Sequence, residues 1–578
     1  MIEIPLWFGA IRGFGAIRAG RESMGRPGAE YLAEALHVYG ATHVFFVEAI
    51  LRRTLMHLEK HGVYRILAHS EKAAAYMADG YARASGKVGV CMAQSVGAAN
   101  LAAGLQDAYL NRTPVVAFTG HKAIPQLHQN AYQEIEHAGL FQSVTQFSAK
   151  VETADQLPLL LRQAFREATG PTPRPAHLDL SGMAAQIVED GELDCPVHVD
   201  SRHARAPAYR AAPDPADVGA AAEAINAAAR PVAILGGGAT LAGAGAQARA
   251  LAARGIPVAY ALDGKGLVAD DDDGTIGVVG NYSAPYANRI IHEADLVIYV
   301  GCETSDMSTG NWRVPEPGTP IVHIDADSAE LGRSYPGTLG IYGDARLALG
   351  ALVERLQGRT DRSWTAHAGE LRRAWRAEVE PRSSALTKPI AVERLCRELT
   401  RILPENAMLV ADTGYSAVWT GTLVDLNHES QGFMRAAGSL GWAFPAAIGA
   451  QCALPDRPVV CFCGDGGFYY HLSELETARR WRIPVTVIIN NNSAFGQDIE
   501  GVRKVYGGDN GRARDLTHFE PVSFAAVAES FGCRGIRVED PADIADAIKT
   551  AIASSEPTVV DVVTDAEPRA PVAWVPDA

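Results

Sequence analysis

The sequence predicts an α/β protein built from three doubly wound parallel-sheet domains. Three observations carry this. The chain has 578 residues, more than one hydrophobic core accommodates. Short, continuous β-branched runs alternate with helical stretches, the pattern of parallel strands covered on both faces. That alternation occurs three times, and the stretches between are rich in Pro, Arg and Asp.

From about Pro27 to Ser181 the strand-like runs are VFFV, VGVCMA, PVVAF and AHLDL. From about Ala208 to Leu356 they are PVAILGGG, IPVAYAL, ADLVIYVG and TPIVHIDAD. From about Pro389 to Asp565 they are NAMLVADTG, RPVVCFCGDG, PVTVIINNN and PTVVDVV. The separators CPVHVDSRHARAPAYRAAPDP and QGRTDRSWTAHAG give an expected division into a first domain over 25–195, a middle domain over 196–365 and a third over 366–565. A tail over 566–578, with an isolated Trp, could close over the site as a lid or stay disordered. Residues 1–24 contain FGAIR twice, at Phe8–Arg12 and Phe14–Arg18. Arginines interrupt the apolar part and no small-residue cleavage site follows, so this reads as a disordered extension before a start at Met24.

Hydrophobic residues make up 47% and charged residues 21%, a soluble globular composition. The net charge of −15 argues against non-specific nucleic-acid binding. Eight Cys without Cys-x-x-Cys spacing suggest neither a disulfide framework nor a zinc site, so a reducing cytoplasm is expected. No apolar run reaches the ~18 residues of a membrane span.

In the third domain, Val459–Phe462 reads as a buried strand followed by Gly464-Asp465-Gly466-Gly467. The glycines allow a tight turn with bare backbone N–H groups, which suits a phosphate. A helix with Phe468, Leu472 and Leu475 on one stripe is expected next. The strand Val485–Ile489 follows and ends in Asn490-Asn491-Asn492. Adjacent parallel strands deliver their ends to one crevice. A carboxylate, an amide oxygen and a backbone carbonyl there are hard donors, fit for Mg²⁺ that keeps phosphate oxygens as further ligands.

Gly-Asp-Gly, then Glu474-Leu475-Glu476-Thr477-Ala478, then a paired Asn after an apolar strand resembles the signature of thiamine diphosphate (ThDP) enzymes. Asn492 stands 27 residues after Asp465 (492 − 465), the spacing of that signature. The resemblance implies a metal held by Asp465, Asn492 and the carbonyl of Ala494, with Gly466 and Gly467 beside the cofactor; Asn490 is left without a role. It implies that the turn Asp412-Thr413-Gly414-Tyr415-Ser416 holds the diphosphate through Gly414, Tyr415 and Ser416. Gly438-Ser439-Leu440-Gly441 through Gly449 is similar to the family's segment in which Leu440 bends the cofactor and the Gly438 carbonyl accepts from its 4′-amine.

In the first domain, Glu71-Lys72-Ala73-Ala74 through Arg83 resembles the family's glutamate motif. Glu71 is then expected to share a proton with the cofactor's pyrimidine. Gly97-Ala98-Ala99-Asn100 is a looser match to a glycine turn. Gln133, within Asn130–Glu134, either points at the substrate end of the cofactor or lies on a helix surface. Because such families take the glutamate from one subunit and the diphosphate site from another, at least a homodimer is implied, with a homotetramer expected.

The middle domain is similar to its counterpart in acetolactate synthase and oxalyl-CoA decarboxylase. Either this domain holds an ADP group, or the ADP part of coenzyme A, with Asp325 near a ribose, or it is an empty structural domain. Cys302-Glu303 stands where acetolactate synthases carry a flavin-contacting arginine, which disfavours FAD. Phe46 and Glu48 stand where the family's usual Phe-Gly-x-Pro-Gly has a glycine and a proline, and Glu500 is read either as a second acid/base or as a surface residue. On these departures the expected reaction is cleavage of a 2-hydroxyacyl-CoA, with an acetolactate-synthase-like decarboxylase or carboligase as the alternative and an inactive scaffold as a third reading. The substrate is a small molecule, an acyl-CoA or a 2-oxo acid.

Overall fold

Short runs of Val, Ile, Leu, Ala and Cys form strands that are buried along most of their length, each released by a polar or glycine-containing turn. The computed structural model describes residues 25–272 and 274–576; the repeated FGAIR segment lies outside them. The strands make three six-stranded sheets, each parallel throughout, and one two-residue antiparallel ribbon between Arg26–Pro27 and Glu192–Leu193. This is the three-sheet α/β architecture the sequence predicts.

The first sheet runs Tyr64–Leu67, His43–Phe46, Gly89–Gln94, Val115–His121, Ala176–Ser181, Phe147–Val151. The third runs Gly432–Arg435, Met408–Ala411, Val459–Gly464, Thr486–Asn491, Thr558–Val563, Arg534–Val538. Numbered by chain order within each sheet, both read 2-1-3-4-6-5, whereas the middle sheet reads 3-2-1-4-5-6. The order reverses between Met408–Ala411 and Val459–Gly464, which opens a crevice beyond their carboxyl ends. The turns Asp412–Ser416 and Gly464–Gly467 both empty into that crevice.

One expected element differs. The helix after Gly464 is broken: Asp465–Phe468 forms one turn, and the helix resumes only at Glu474–Arg480. Between them the amides of Tyr470, His471 and Glu474 bond carbonyls three residues back. The fully buried Glu474 carboxylate accepts from the His69 amide at 3.0 Å and from the Thr477 hydroxyl at 2.7 Å, which fixes where the second helix starts.

The first and third domains meet through the helices Glu71–Ser85 and Ala443–Ala453. Their backbones touch. A Cβ on Gly80 would stand 2.0 Å from the Ala446 carbonyl oxygen, and one on Gly449 1.9 Å from that of Met77. At the same seam the Trp442 indole donates to buried Asp79 at 2.8 Å and the Arg83 guanidinium lies 4.6 Å from its ring centre. Gly449→Ala is therefore expected to cost about 3 kcal/mol, because neither backbone can retreat; urea unfolding with a midpoint like that of the unmodified protein would refute this packing.

The tail crosses from the third domain to the middle one. Asn288 donates to the Trp574 carbonyl at 2.9 Å, and the His292 ring meets the Trp574 ring edge-on at 5.2 Å. No helix among the described residues is long and apolar enough to cross a membrane.

Candidate active site

The crevice of the third sheet holds a cavity of about 280 Å³. Of the residues singled out from sequence, Gly414, Tyr415, Ser416, Leu440, Asp465, Gly466, Gly467, Asn492 and Ala494 line it. Glu71, Gln133, Gly438 and Glu500 do not.

Asp465 is 2% exposed and begins a helical turn. Burial pushes its carboxyl up to about 7, although the Gly466, Ser493 and Ala494 amides bond it and pull the other way. No charged side chain compensates it among the described residues. An uncompensated buried carboxylate is costly, and a divalent cation with phosphate oxygens beyond it removes the cost. Asn492 presents its Oδ1 nearby, taken here by the Ala494 amide at 3.1 Å. No cluster of three His, Cys, Asp or Glu among the described residues could hold a metal. The three donors named from sequence are one carboxylate, one amide and one carbonyl oxygen, a set that fits Mg²⁺.

The other asparagines are structural. The strand runs on through Asn490 and Asn491 rather than ending at Ile489. The Thr564 hydroxyl donates to Asn490 Oδ1 at 2.6 Å, and Asn491 Nδ2 donates to Asp561 at 2.7 Å and to the Val522 carbonyl at 2.9 Å. Both tie this strand to the segments packed beside it, and Asn490 lines the cavity along with Asn492.

Gly414 has a φ of +67°, and a Cβ there would meet Gln497 Oε1 at 2.7 Å. A Cβ on Gly466 would strike Phe495 at 2.5 Å, and one on Gly467 would strike Asp412 Oδ2 at 2.7 Å. These turns stay open because they carry no side chains.

Glu71 opens the first turn of its helix and is half-buried. Asn100 Nδ2 donates to its Oε2 at 3.1 Å, and a Cβ on Gly97 would stand 2.5 Å from its Oε1. The glycine stretch expected as a turn is in fact the start of the helix Gly97–Leu110. Asn100 is thus a partner of Glu71 that sequence reasoning did not single out.

Gln133 lies in a loop with φ +58°, not on a helix surface. Gln94 donates to its side-chain carbonyl at 2.9 Å, and the Ser95 hydroxyl bonds its backbone carbonyl. Both ends of this loop are tied to one buried carboxylate, Asp179, by His121 at 3.3 Å and His137 at 3.0 Å. Burial acts to raise the Asp179 carboxyl, but the two histidines hold it well below the usual range.

Glu500 stands in the first turn of the helix Ile499–Tyr506, where Arg503 at 3.4 Å and Arg569 of the tail both pair with it. Of its two readings, second acid/base or surface residue, this tethering contact is nearer the surface one. Glu567 adds an ion pair to Arg503 at 2.9 Å.

A larger cavity of about 790 Å³ lies at the carboxyl ends of the middle sheet, lined by Gly236–Gly238, Gly301–Glu303 and Asp325. Arg112 of the first domain reaches Glu303 at 2.8 Å, Glu330 at 3.1 Å and Asp327 at 3.4 Å. Burial raises Asp325 to about 6.

Comparison with known proteins agrees with this architecture. Residues 26–140 match the N-terminal TPP binding domain of thiamine pyrophosphate enzymes, 218–352 the central domain and 412–562 the C-terminal TPP binding domain. The chain belongs to the thiamine pyrophosphate enzyme family, as a ThDP-dependent enzyme of the acetolactate synthase group. It is 33% identical over 562 residues to a probable acetolactate synthase large subunit of Methanocaldococcus jannaschii, covering 93% of this chain and 92% of that one. It is 29% identical over 548 residues to the acetolactate synthase isozyme 2 large subunit of Escherichia coli, covering 93% and 95%. A putative thiamine pyrophosphate-containing protein of Bacillus subtilis, YdaP, is 29% identical over 555 residues.

Proposed function

We propose that the protein decarboxylates a 2-oxo acid and joins the remaining acyl carbon to a second carbonyl compound, as an acetolactate-synthase-like carboligase. The observation that carries this reading is the likeness to acetolactate synthase large subunits along 93% of the chain. The relatives favour it over 2-hydroxyacyl-CoA cleavage. The latter also relied on Glu500 as a second base, and two guanidinium groups occupy that carboxylate.

ThDP, when bound, supplies a carbon nucleophile and a sink for the electrons released at the carbonyl carbon. Asp465, Asn492 and the Ala494 carbonyl would hold Mg²⁺, and the 414–416 turn the diphosphate. Glu71 would hold a proton on the pyrimidine nitrogen, oriented by Asn100. In one chain Glu71 does not line the cavity of Asp465 and Asn492. That supports a site completed by a second copy, hence at least a homodimer. In the middle domain, Asp325 at a strand end suits the ribose of an ADP group, and Glu303 weighs against FAD. Protein denatured to free its contents should then release adenine-type ultraviolet absorbance without the visible bands of a flavin.

The activity test uses purified protein with ThDP and Mg²⁺ in two mixtures. Pyruvate alone should yield CO₂ and acetolactate. An acyl-CoA product from formyl-CoA plus a ketone, with no CO₂ from pyruvate, would overturn the proposal in favour of the lyase.

A further inference from the structure

We propose that Asp107 is a positioning residue for the cofactor: from the first domain it sets the backbone of residues 437–441, the loop that carries the Gly438 carbonyl and the Leu440 side chain. This rests on the ThDP reading above. Asp107 lies near the end of the helix Gly97–Leu110 and is fully buried. Its carboxylate reaches across to the third domain. Oδ1 accepts from the Ala437 amide at 2.9 Å, and Oδ2 from the Ser439 amide at 3.1 Å and the Gly438 amide at 3.4 Å. Asn111 adds a bond to Oδ1 at 3.2 Å.

Three successive amides of a non-helical loop therefore converge on one anion. A carboxylate offers acceptors on both oxygens, whereas an asparagine would set an NH₂ group against an N–H. Asp412, 1% exposed, anchors the other end by accepting from the Gly441 amide at 3.0 Å. Leu440 sits between the two anchors and lines the cavity, and a Cβ on Gly467 would stand 3.5 Å from its Cδ1. Constellations of this kind work only when held to about 0.5 Å, so a loop released at its Asp107 end would misplace Leu440 and the Gly438 carbonyl together.

The same helix also carries Asn100, the donor to Glu71. Asn100 and Asp107 are separated by about 10 Å of helix rise. One rigid element thus holds both the proton-holding carboxylate and the loop of one chain, which on the two-copy reading serve two different sites. Interdomain packing alone does not demand this arrangement. Asp79, also fully buried at the seam, bonds the Trp442 indole and is the natural control.

The test titrates ThDP at saturating Mg²⁺, read by quenching of tryptophan fluorescence, since Trp419 lines the cavity. Asp107→Asn should raise the half-saturating ThDP concentration about tenfold or more, the scale on which supporting partners act. At saturating ThDP its KM for the 2-oxo acid should stay within about twofold of the unmodified value, because the change acts through the cofactor. Asp79→Asn should lower the melting temperature yet leave ThDP binding in place. Hydrogen exchange on the unmodified protein without ThDP supplies a variant-free measurement, in which the amides of 437–439 should be protected like the core. Undiminished ThDP binding by Asp107→Asn, equal weakening by Asp79→Asn, or fast exchange of those amides would each overturn the proposal. Failure of the underlying reading is distinguishable, because the unmodified protein would then not bind ThDP at all.

Discussion

Glu71→Gln is expected to lower kcat by roughly 10²–10⁴-fold, the contribution of a positioned proton-transfer group, while ThDP still binds. The variant keeps the shape of the side chain, and an amide oxygen can still accept from Asn100, now at 3.1 Å from Glu71 Oε2. What it loses is the ability to share a proton with a ring nitrogen. The loss should therefore fall on kcat and leave the ThDP titration near its unmodified value. A glutamine variant with undiminished turnover would show that Glu71 is only the start of a helix.

The second large effect concerns Asp465, and it runs in opposite directions for cofactor binding and for stability. Asp465→Asn removes the one carboxylate of the cation site, so ThDP affinity in the presence of Mg²⁺ should fall by about 100-fold or more, beyond the loss of an outer partner. The cofactor-free protein should not be destabilised, and a gain of about 1 kcal/mol is expected. Asp465 is buried without a compensating charge, and a neutral amide of equal size avoids that penalty. Melting curves with and without ThDP and Mg²⁺ check both halves. A variant less stable than the unmodified protein in the absence of cofactor would mean that the carboxylate is part of the packing and not a vacant cation ligand.

The fold was legible because each parallel strand is a buried β-branched run, and a run followed by glycine has few other uses. Asp465 and Asn492 were legible because two strand ends must meet and the spacing between them, set by a broken helix and one strand, matches the signature of a known family. Asn490 was not. Its partner Thr564 lies 74 residues on, and only the sheet order places the strand Thr558–Val563 beside it. Asp107 was missed for the same reason: an aspartate near a helix end reads as solvated, and its burial depends on a loop 330 residues away. Glu500 shows the converse. Its position after the asparagines suggested chemistry, but the tail returns Arg569 to it, which no local pattern announces.

The most direct measurement of the central claim, that Glu71 of one copy completes the cation and diphosphate site of another, is complementation between two impaired variants. Glu71→Gln and Asp465→Asn are each expected to retain only a residual activity alone. Co-expressed, they form mixed dimers in which one site carries both changes and the other carries neither. Random pairing then predicts recovery of roughly a quarter of unmodified activity, if the proposed homodimer has two-fold symmetry. Mixed dimers with no activity would place Glu71 and Asp465 in one chain's own site and contradict the account.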